Sequence, residues 1–405
     1  MAYFAFVFSI VYLFGFFYMR RRLRLLNVSR WALRTYDVFF AASFVFGALL
    51  PWLNLSISQS SELLFRAALF ACFIGLFLSV PLLLIGDLAR FVLSLLSRQR
   101  ADSKDSDTKQ FRSRRNFLST AAITVGAVPF SSLLVGIGGR YRYKLHRYEL
   151  QFANLPKAFD NYTIVQLSDL HLGSFDDLNA VKEGLDLVNN EQPDLLLFTG
   201  DMVNNKSAEA DAFVQMLAAL EAKDGKYSVL GNHDYGTYNQ DFDATAARAD
   251  VERLIDLQRQ MGFRNLRNES VQIRREDAFF QLVGVENWGA GRFLKAGDLD
   301  AASKNLDPEV FTLLMSHDPS HWEAEVLNHI HPIELTLSGH THGFQYGIEV
   351  AGWQWSPAKL RYPQWAGMYE KNNRLINVNR GFGFLGYPGR FGIWPEITVI
   401  RLKSA

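Results

Sequence analysis

Three long apolar runs near the N-terminus constrain this chain more than any other feature. Residues 3–19, 38–55 and 67–85 contain no Asp, Glu, Lys or Arg, and each approaches the roughly 20 residues a helix needs to cross a hydrocarbon core. None shows the spacing of a helix with one buried and one wet face. Pro51 and Pro81 fall inside the runs, which helices in lipid tolerate better than helices in water. The expectation is a transmembrane region over residues 1–97 with about three helices. Arg20, Arg21, Arg22, Arg24, Arg30 and Arg34 follow the first run, whereas residues 56–61 carry no Lys or Arg. Positive-inside counting puts the first loop in the cytoplasm, the second outside, and the basic segment 90–115 inside again.

Residues 98–118 are rich in Ser, Asp, Lys and Arg and read as a polar basic linker. Their end, Ser113-Arg114-Arg115-Asn116-Phe117-Leu118, resembles a twin-arginine export signal. The small, weakly apolar residues 119–139 read as a fourth span. An export signal or a plain helix with a basic flank would equally carry the C-terminal residues to the external side. Arg140, Arg142, Lys144 and Arg147 pull the other way. Composition excludes some partners. Lys plus Arg (42) nearly equals Asp plus Glu (41), so no affinity for nucleic acid is expected. The single cysteine, Cys72, rules out a disulfide framework or a cysteine-built metal site. No obligate protein partner is implied.

From residue 150 the pattern becomes that of an α/β domain, expected over residues 150–405. Residues 162–167 and 195–198 are short β-prone runs, and Leu178, Val181, Leu185 and Val188 recur between them at helical spacing. Residues 208–220 and 244–261 predict further helices, and residues 227–230 another strand. Beyond residue 265 strands dominate, over 271–274, 279–285, 311–315, 333–337, 374–378 and 397–402. Alternating β-α units followed by more strands predict a sheet-rich core with helices outside.

Polar clusters sit at the ends of five of these strands: Asp169-Leu170-His171, Gly200-Asp201, Gly231-Asn232-His233-Asp234, Ser316-His317 and Gly339-His340-Thr341-His342. Each alone is weak, since such residues are common in turns. Their conjunction at strand ends, where open α/β sheets bind ligands, is not. A mixed set of imidazole and carboxylate suits a hydrolytic transition-metal site. The candidate ligands are too many for one ion and fit two ions that share a bridging carboxylate.

Together with Asp318-Pro319, these clusters resemble the calcineurin-like metallophosphoesterase superfamily, over about residues 160–405. The tail, with Arg380-Gly381-Phe382-Gly383, Pro388-Gly389-Arg390 and Pro395-Glu396-Ile397, is similar to its bacterial membrane-associated and exported branch. The resemblance implies an α/β fold, a four-layer α-β-β-α sandwich, following the N-terminal helical membrane region. It implies that Asp169, His171 and His342 hold a first divalent ion and that Asp201 bridges. Asn232, His317 and His340 would hold a second, the metals being Mn, Zn or Fe. His233 would stand beside the substrate as the catalytic residue, protonating the leaving oxygen or hydrogen-bonding the phosphoryl group. Asp234 is a candidate to orient it, and neither Asn204 nor Asn205 receives a role. The reaction expected is hydrolysis of a phosphoester by metal-activated water, with no Ser or Cys nucleophile. The expected location is the bacterial inner membrane, multi-pass, with the catalytic domain on the periplasmic side.

Residue types say less about the substrate. Trp353, Trp355, Tyr362 and Trp365 form either an apolar lip for lipid or the core of the terminal sheet. The leading expectation is a lipid-linked or envelope phosphoester. Runners-up are soluble nucleotide or sugar phosphates and nucleotide-activated lipid precursors cleaved at the cytoplasmic face. His321, His329 and His331 read as surface residues, and His146 as part of the basic segment after the last span. A metal-free receptor is disfavoured by the intact ligand set. A transporter is disfavoured because Asp37 and Asp87, the acids nearest the runs, lie at their ends.

Overall fold

The computed structural model describes residues 2–46, 59–97, 106–239 and 241–405. The chain divides into two compact units, Met1–Ile137 and Gly138–Ala405.

The first unit is helical, with α1 (Ala2–Leu25), α2 (Arg30–Phe44), α3 (Gln59–Ser97) and α4 (Ser106–Gly136). The first apolar run lies in α1 and the third in α3. The second begins in α2, and its residues 47–55 lie outside the described residues, as do 56–58 and 98–105 of the expected connections. The expected linker is helical from Ser106 onward and continuous with the apolar stretch after it. Its Lys, Gln and Arg residues are good helix formers once a neighbouring span supplies the nucleus. Among the described residues, two stretches, Ser61–Val92 and Asn116–Gly139, are long and apolar enough to cross a membrane. Helices α3 and α4 approach through small residues: a Cβ on Gly126 would strike the Gly75 carbonyl and Ser79. Such contacts let backbones close where no hydrophobic force drives helices together.

The second unit begins at Gly138, earlier than the expected residue 150. In chain order its first strands are β1 (Lys144–Phe152), β2 (Tyr162–Leu167), β3 (Leu195–Phe198), β4 (Lys226–Ser228) and β5 (Phe263–Asn265). Next come β6 (Glu269–Arg275), β7 (Ala278–Gly284), β8 (Thr312–Met315), β9 (Leu335–Ser338) and β10 (Ile348–Val350). The last are β11 (Trp353–Trp355), β12 (Gly367–Lys371), β13 (Arg374–Val378) and β14 (Glu396–Ser404). Its helices are α5 (Leu178–Asn190), α6 (Val214–Ala218), α7 (Ala244–Gln260), α8 (Leu299–Ser303) and α9 (Ser320–Ala324). Two six-stranded sheets form, ordered β1-β14-β2-β3-β4-β5 and β12-β13-β9-β8-β7-β6, beside the hairpin β10-β11. Strand β1 pairs in parallel with β14, from Lys144 opposite Glu396 to Phe152 opposite Ser404. It is an edge strand, where charged residues are normal, so its basic residues hid it in the sequence.

The sheets face one another. Ile164, Leu195, Leu197, Ile400 and Leu402 of the first bury against Phe280, Leu282, Leu313, Met315, Leu335 and Leu337 of the second. On the outer face of the second, Val283, Leu314, Ile376 and Val378 pack with Leu299 of α8 and Trp322 of α9. The first sheet is covered in the same way, since β2 and β3 are buried on both faces and read as continuous apolar runs for that reason. Helix α5 buries Val181, Leu185 and Val188, and α7 is tied to β4 by Ser228 Oγ donating to Gln258 Oε1 at 2.7 Å. The layers are therefore helix, sheet, sheet, helix. Strands β2 to β5 run parallel, as do β7, β8, β9 and β13, so their carboxyl ends share an edge within each sheet.

Candidate metal centre

Those carboxyl ends deliver the polar residues. Strand β2 runs out into Asp169 and His171, β3 into Asp201, β4 into Asn232 and His233, β8 into His317, and β9 into His340 and His342. The chain leaves ordinary backbone space to do this. φ is 51° at Asp169, 47° at His171, 59° at Asp201, 70° at His340 and 51° at His342. Each left-handed non-glycine residue costs on the order of 1–3 kcal/mol, and close packing holds the turns in place. Gly200, with φ of 100°, shows how close: a Cβ there would lie 2.8 Å from His317 Nδ1. One on Gly339 would strike Ser168 and the Asp169 carboxylate.

Two groups of donor atoms result, Asp169 with His171 and His342, and Asp201 with His317 and His340, each within 4.8 Å. In the first, His342 Nε2 is 2.9 Å from His171 Nε2 and 3.3 Å from Asp169 Oδ1. In the second, His317 Nε2 is 3.2 Å from Asp201 Oδ2 and 3.3 Å from His340 Nδ1. The same Asp201 Oδ2 lies 3.6 Å from His171 Nε2, so one oxygen reaches both groups. Asn232 donates to Tyr238 Oη at 3.0 Å, and its buried Oδ1 has no partner. An orphaned buried oxygen beside converging lone pairs is what a cation site looks like, and the donor set fits divalent metals.

Burial disfavours charge on all of these groups, and their neighbours decide the outcome. It would raise Asp169 and Asp201, but His342 beside the first and His317 beside the second hold both carboxyls well below the usual range. It lowers His171 to about 3, with His342 adding to the effect, and lowers His340 as well. At His317 the Asp201 charge outweighs burial and lifts the imidazole to about 10. Metal ligation needs ionised carboxylates and neutral imidazoles, so an ion held here would have to displace the proton that the Asp201 charge favours on His317. The ring is already aimed, because His317 Nδ1 donates to the Thr199 carbonyl at 2.8 Å.

His233 is not oriented by Asp234. Its Nδ1 donates to the Asn204 carbonyl at 2.7 Å, its backbone N–H donates to Asp201 Oδ1 at 2.8 Å, and Tyr238 stacks on it. That leaves Nε2 for a substrate. The Asp234 carboxylate instead accepts four backbone N–H bonds, from Asp201, Met202, Val203 and Gly231, at 2.8–3.2 Å. Burial, with the Asp201 charge adding, pushes it up to about 7. Asn204 thus acquires a role through its backbone, which sequence could not show. Tyr362 reaches His340 Nε2 at 2.8 Å, and the fully buried Arg390 sets Nη2 3.3 Å from His342 Nδ1.

Other expectations need correcting. His321 is buried rather than at the surface: Ser316 Oγ lies 2.9 Å from its Nδ1, Glu325 3.1 Å from its Nε2, and Trp288 stacks on its ring. It holds the His317 turn from behind, and its place three residues past Asp318 on a short helix was the one available signal. His329 and His331 are half-buried. The aromatic cluster divides, with Trp365 in a core beside Ala358 and Ile393 while Trp353 and Trp355 are exposed.

The calcineurin-like phosphoesterase family model matches residues 162–344. A second, described as "Probable Calcineurin-like phosphoesterase, transmembrane domain", matches residues 1–140. The chain is 31% identical over 303 residues to the metallophosphoesterase YkuE of Bacillus subtilis, covering 72% of this chain and 98% of that protein. It is 29% identical over 296 residues to the phosphodiesterase YaeI of Escherichia coli, covering 72% and 99%. It is 30% identical over 268 residues to a transmembrane protein with metallophosphoesterase domain from Bos taurus, covering 64% of this chain and 56% of that protein.

Proposed function

The chain belongs to the calcineurin-like metallophosphoesterases, and on that footing we propose a membrane-anchored enzyme that hydrolyses a lipid-linked or envelope phosphoester at a two-metal centre. The observation that carries the two-metal reading is the reach of Asp201 Oδ2 to both donor groups. Asp169, His171 and His342 would hold one ion, and Asn232, His317 and His340 the other, with Asp201 common to both; Mn, Zn and Fe suit the donors. Bound there, two divalent ions supply a water of lowered pKa and positive charge for the phosphoryl oxygens. The chain supplies the rest. The Asn204 carbonyl holds the Nδ1 proton of His233, so that Nε2, once the ring carries a second proton, would donate to the leaving oxygen or to a phosphoryl oxygen. Asp234 would brace the left-handed turn at Asp201, and His321 the loop that carries His317. The helical spans, with residues 119–139 among them, would anchor the unit on the periplasmic side, which positive-inside counting supports.

Exposed Trp353 and Trp355, close in sequence to His342, support an apolar substrate. The test is the full chain in detergent, loaded with metal, against a panel of phosphoesters. Lipid-linked esters should exceed soluble nucleotide and sugar phosphates in kcat/KM by about tenfold or more, the discrimination a small apolar contact gives. Equal or better turnover of the soluble esters would transfer the proposal to them.

A further inference from the structure

The hairpin β10-β11 presents an uncovered apolar face. Its cross-strand pairs, Ile348 with Trp355 and Val350 with Trp353, put four large apolar side chains on one side. All are exposed, at 46%, 63%, 59% and 39% for Ile348, Val350, Trp353 and Trp355. Phe344 and Leu360, also exposed, flank the hairpin in sequence. The element is firmly built. On its reverse side Glu349 and Gln354 accept from Nη2 of the buried Arg380 at 3.2 and 2.9 Å, and Arg380 Nη1 pairs with buried Glu396 at 2.6 Å. Ser356 Oγ donates to the Gly343 carbonyl at 2.6 Å. The polar side is thus turned in and the apolar side out, the reverse of a water-facing edge.

Its surroundings identify what covers it. Between Phe344 and Trp365 the sole acid is Glu349, which is tied to Arg380, while the cations Lys359 and Arg361 are exposed. Arg361 lies against Gly291, next to exposed Arg292. Tryptophan and aliphatic side chains rimmed by Lys and Arg suit the headgroup boundary of an anionic bilayer. Among the described residues two helices are long and apolar enough to cross a membrane, and a transmembrane phosphoesterase domain matches residues 1–140, so a bilayer is at hand. The segment is contiguous with the metal centre, since Phe344 follows His342 by two residues and Tyr362 reaches His340.

We propose that the β10-β11 hairpin inserts Ile348, Val350, Trp353 and Trp355 into the headgroup region of a bilayer, with Lys359 and Arg361 on lipid phosphates. The metal centre then meets phosphoesters at the membrane surface. The inference extends the lipid-substrate reading, but its test measures depth and not turnover, so each fails separately. The full chain carrying Trp353→Cys, labelled with a nitrobenzoxadiazole fluorophore, is reconstituted in nanodiscs of phosphatidylethanolamine and phosphatidylglycerol. Cys72 is buried, and a label on Asp186→Cys of the exposed face of α5 is the aqueous reference. Blue-shifted emission and quenching by doxyl lipids at position 353, absent at 186, is the expected result. Val350→Cys should repeat it, and Lys359→Gln with Arg361→Gln should weaken the quenching in anionic discs alone. An aqueous spectrum at both 353 and 350, open to iodide, overturns the proposal. So does a blue shift without doxyl quenching that grows with protein concentration, which marks a second copy as the occupant.

Discussion

Replacing Asp234 with Ala removes no proposed ligand and no group that meets substrate, yet it should cost both stability and metal. The carboxylate satisfies four buried backbone N–H groups around Asp201. A hydrogen bond to a charged acceptor contributes about 1.5–3 kcal/mol. Because burial, with the Asp201 charge adding, pushes this carboxyl up to about 7, the four bonds together contribute less than their sum, and the expected loss is about 3–5 kcal/mol, the scale of deleting one partner of a buried pair. For a unit this large each kcal/mol is about 2–4 °C in Tm, so a fall on the order of 10 °C is expected. The strained turn at Asp201 relaxes with it, and metal affinity drops although every ligand remains. Asp234→Asn should recover part of the stability, because its one carbonyl oxygen still accepts while its amide opposes an N–H. Thermal unfolding of the full chain in detergent, with metal titration in parallel, reads both effects. An Ala variant with wild-type Tm and undiminished metal affinity would refute the reasoning.

His233→Ala should keep its metals and lose about 100-fold or more in kcat/KM on alkyl phosphoesters, with nitrophenyl esters affected much less; an equal loss on both would make His233 a charge stabiliser instead of an acid. Glu396 is buried, and Arg380 outweighs that burial to hold it below the usual glutamate range. Its stabilisation is therefore complete above the ordinary value of about 4.3 and is lost as pH falls through the depressed folded value. Glu396→Gln should lower Tm near neutrality and flatten the acid limb of the Tm–pH curve; an unchanged limb contradicts the assignment. Protease added to intact spheroplasts should remove the C-terminal unit, and replacing Arg114 and Arg115 by Lys should block its export if a twin-arginine receptor reads them. Full protection in intact spheroplasts would place the unit in the cytoplasm and favour nucleotide-activated lipid precursors as substrates.

The sequence was most legible where one physical cause acts locally. Strands β2, β3, β8 and β9 are buried on both faces, so their apolar runs stood out, and the candidate donor clusters beside them stood out because each begins just after such a run stops. Strand β1 stayed hidden because an edge position tolerates its Lys and Arg, and its partner β14 lies at the far end of the chain. The helical start of α4 was masked by polar residues that form helix readily when a span continues them. At the site, residue types announced donors but not supports. The role of Asp234 depends on backbone N–H groups of which three lie more than 30 residues away in sequence, and that of Asn204 on a carbonyl any residue carries. The division of Trp365 from Trp353 and Trp355 needed the hairpin register, which short strands do not fix in advance.

The most direct test of the central claim is metal content. The purified full chain, measured by elemental analysis after equilibration with Mn, Zn or Fe, should hold about two ions. Asp201→Ala should hold almost none, because both donor groups lose the oxygen they share, while His342→Ala should weaken mainly one ion. A single ion per chain that survives Asp201→Ala would contradict the two-metal centre.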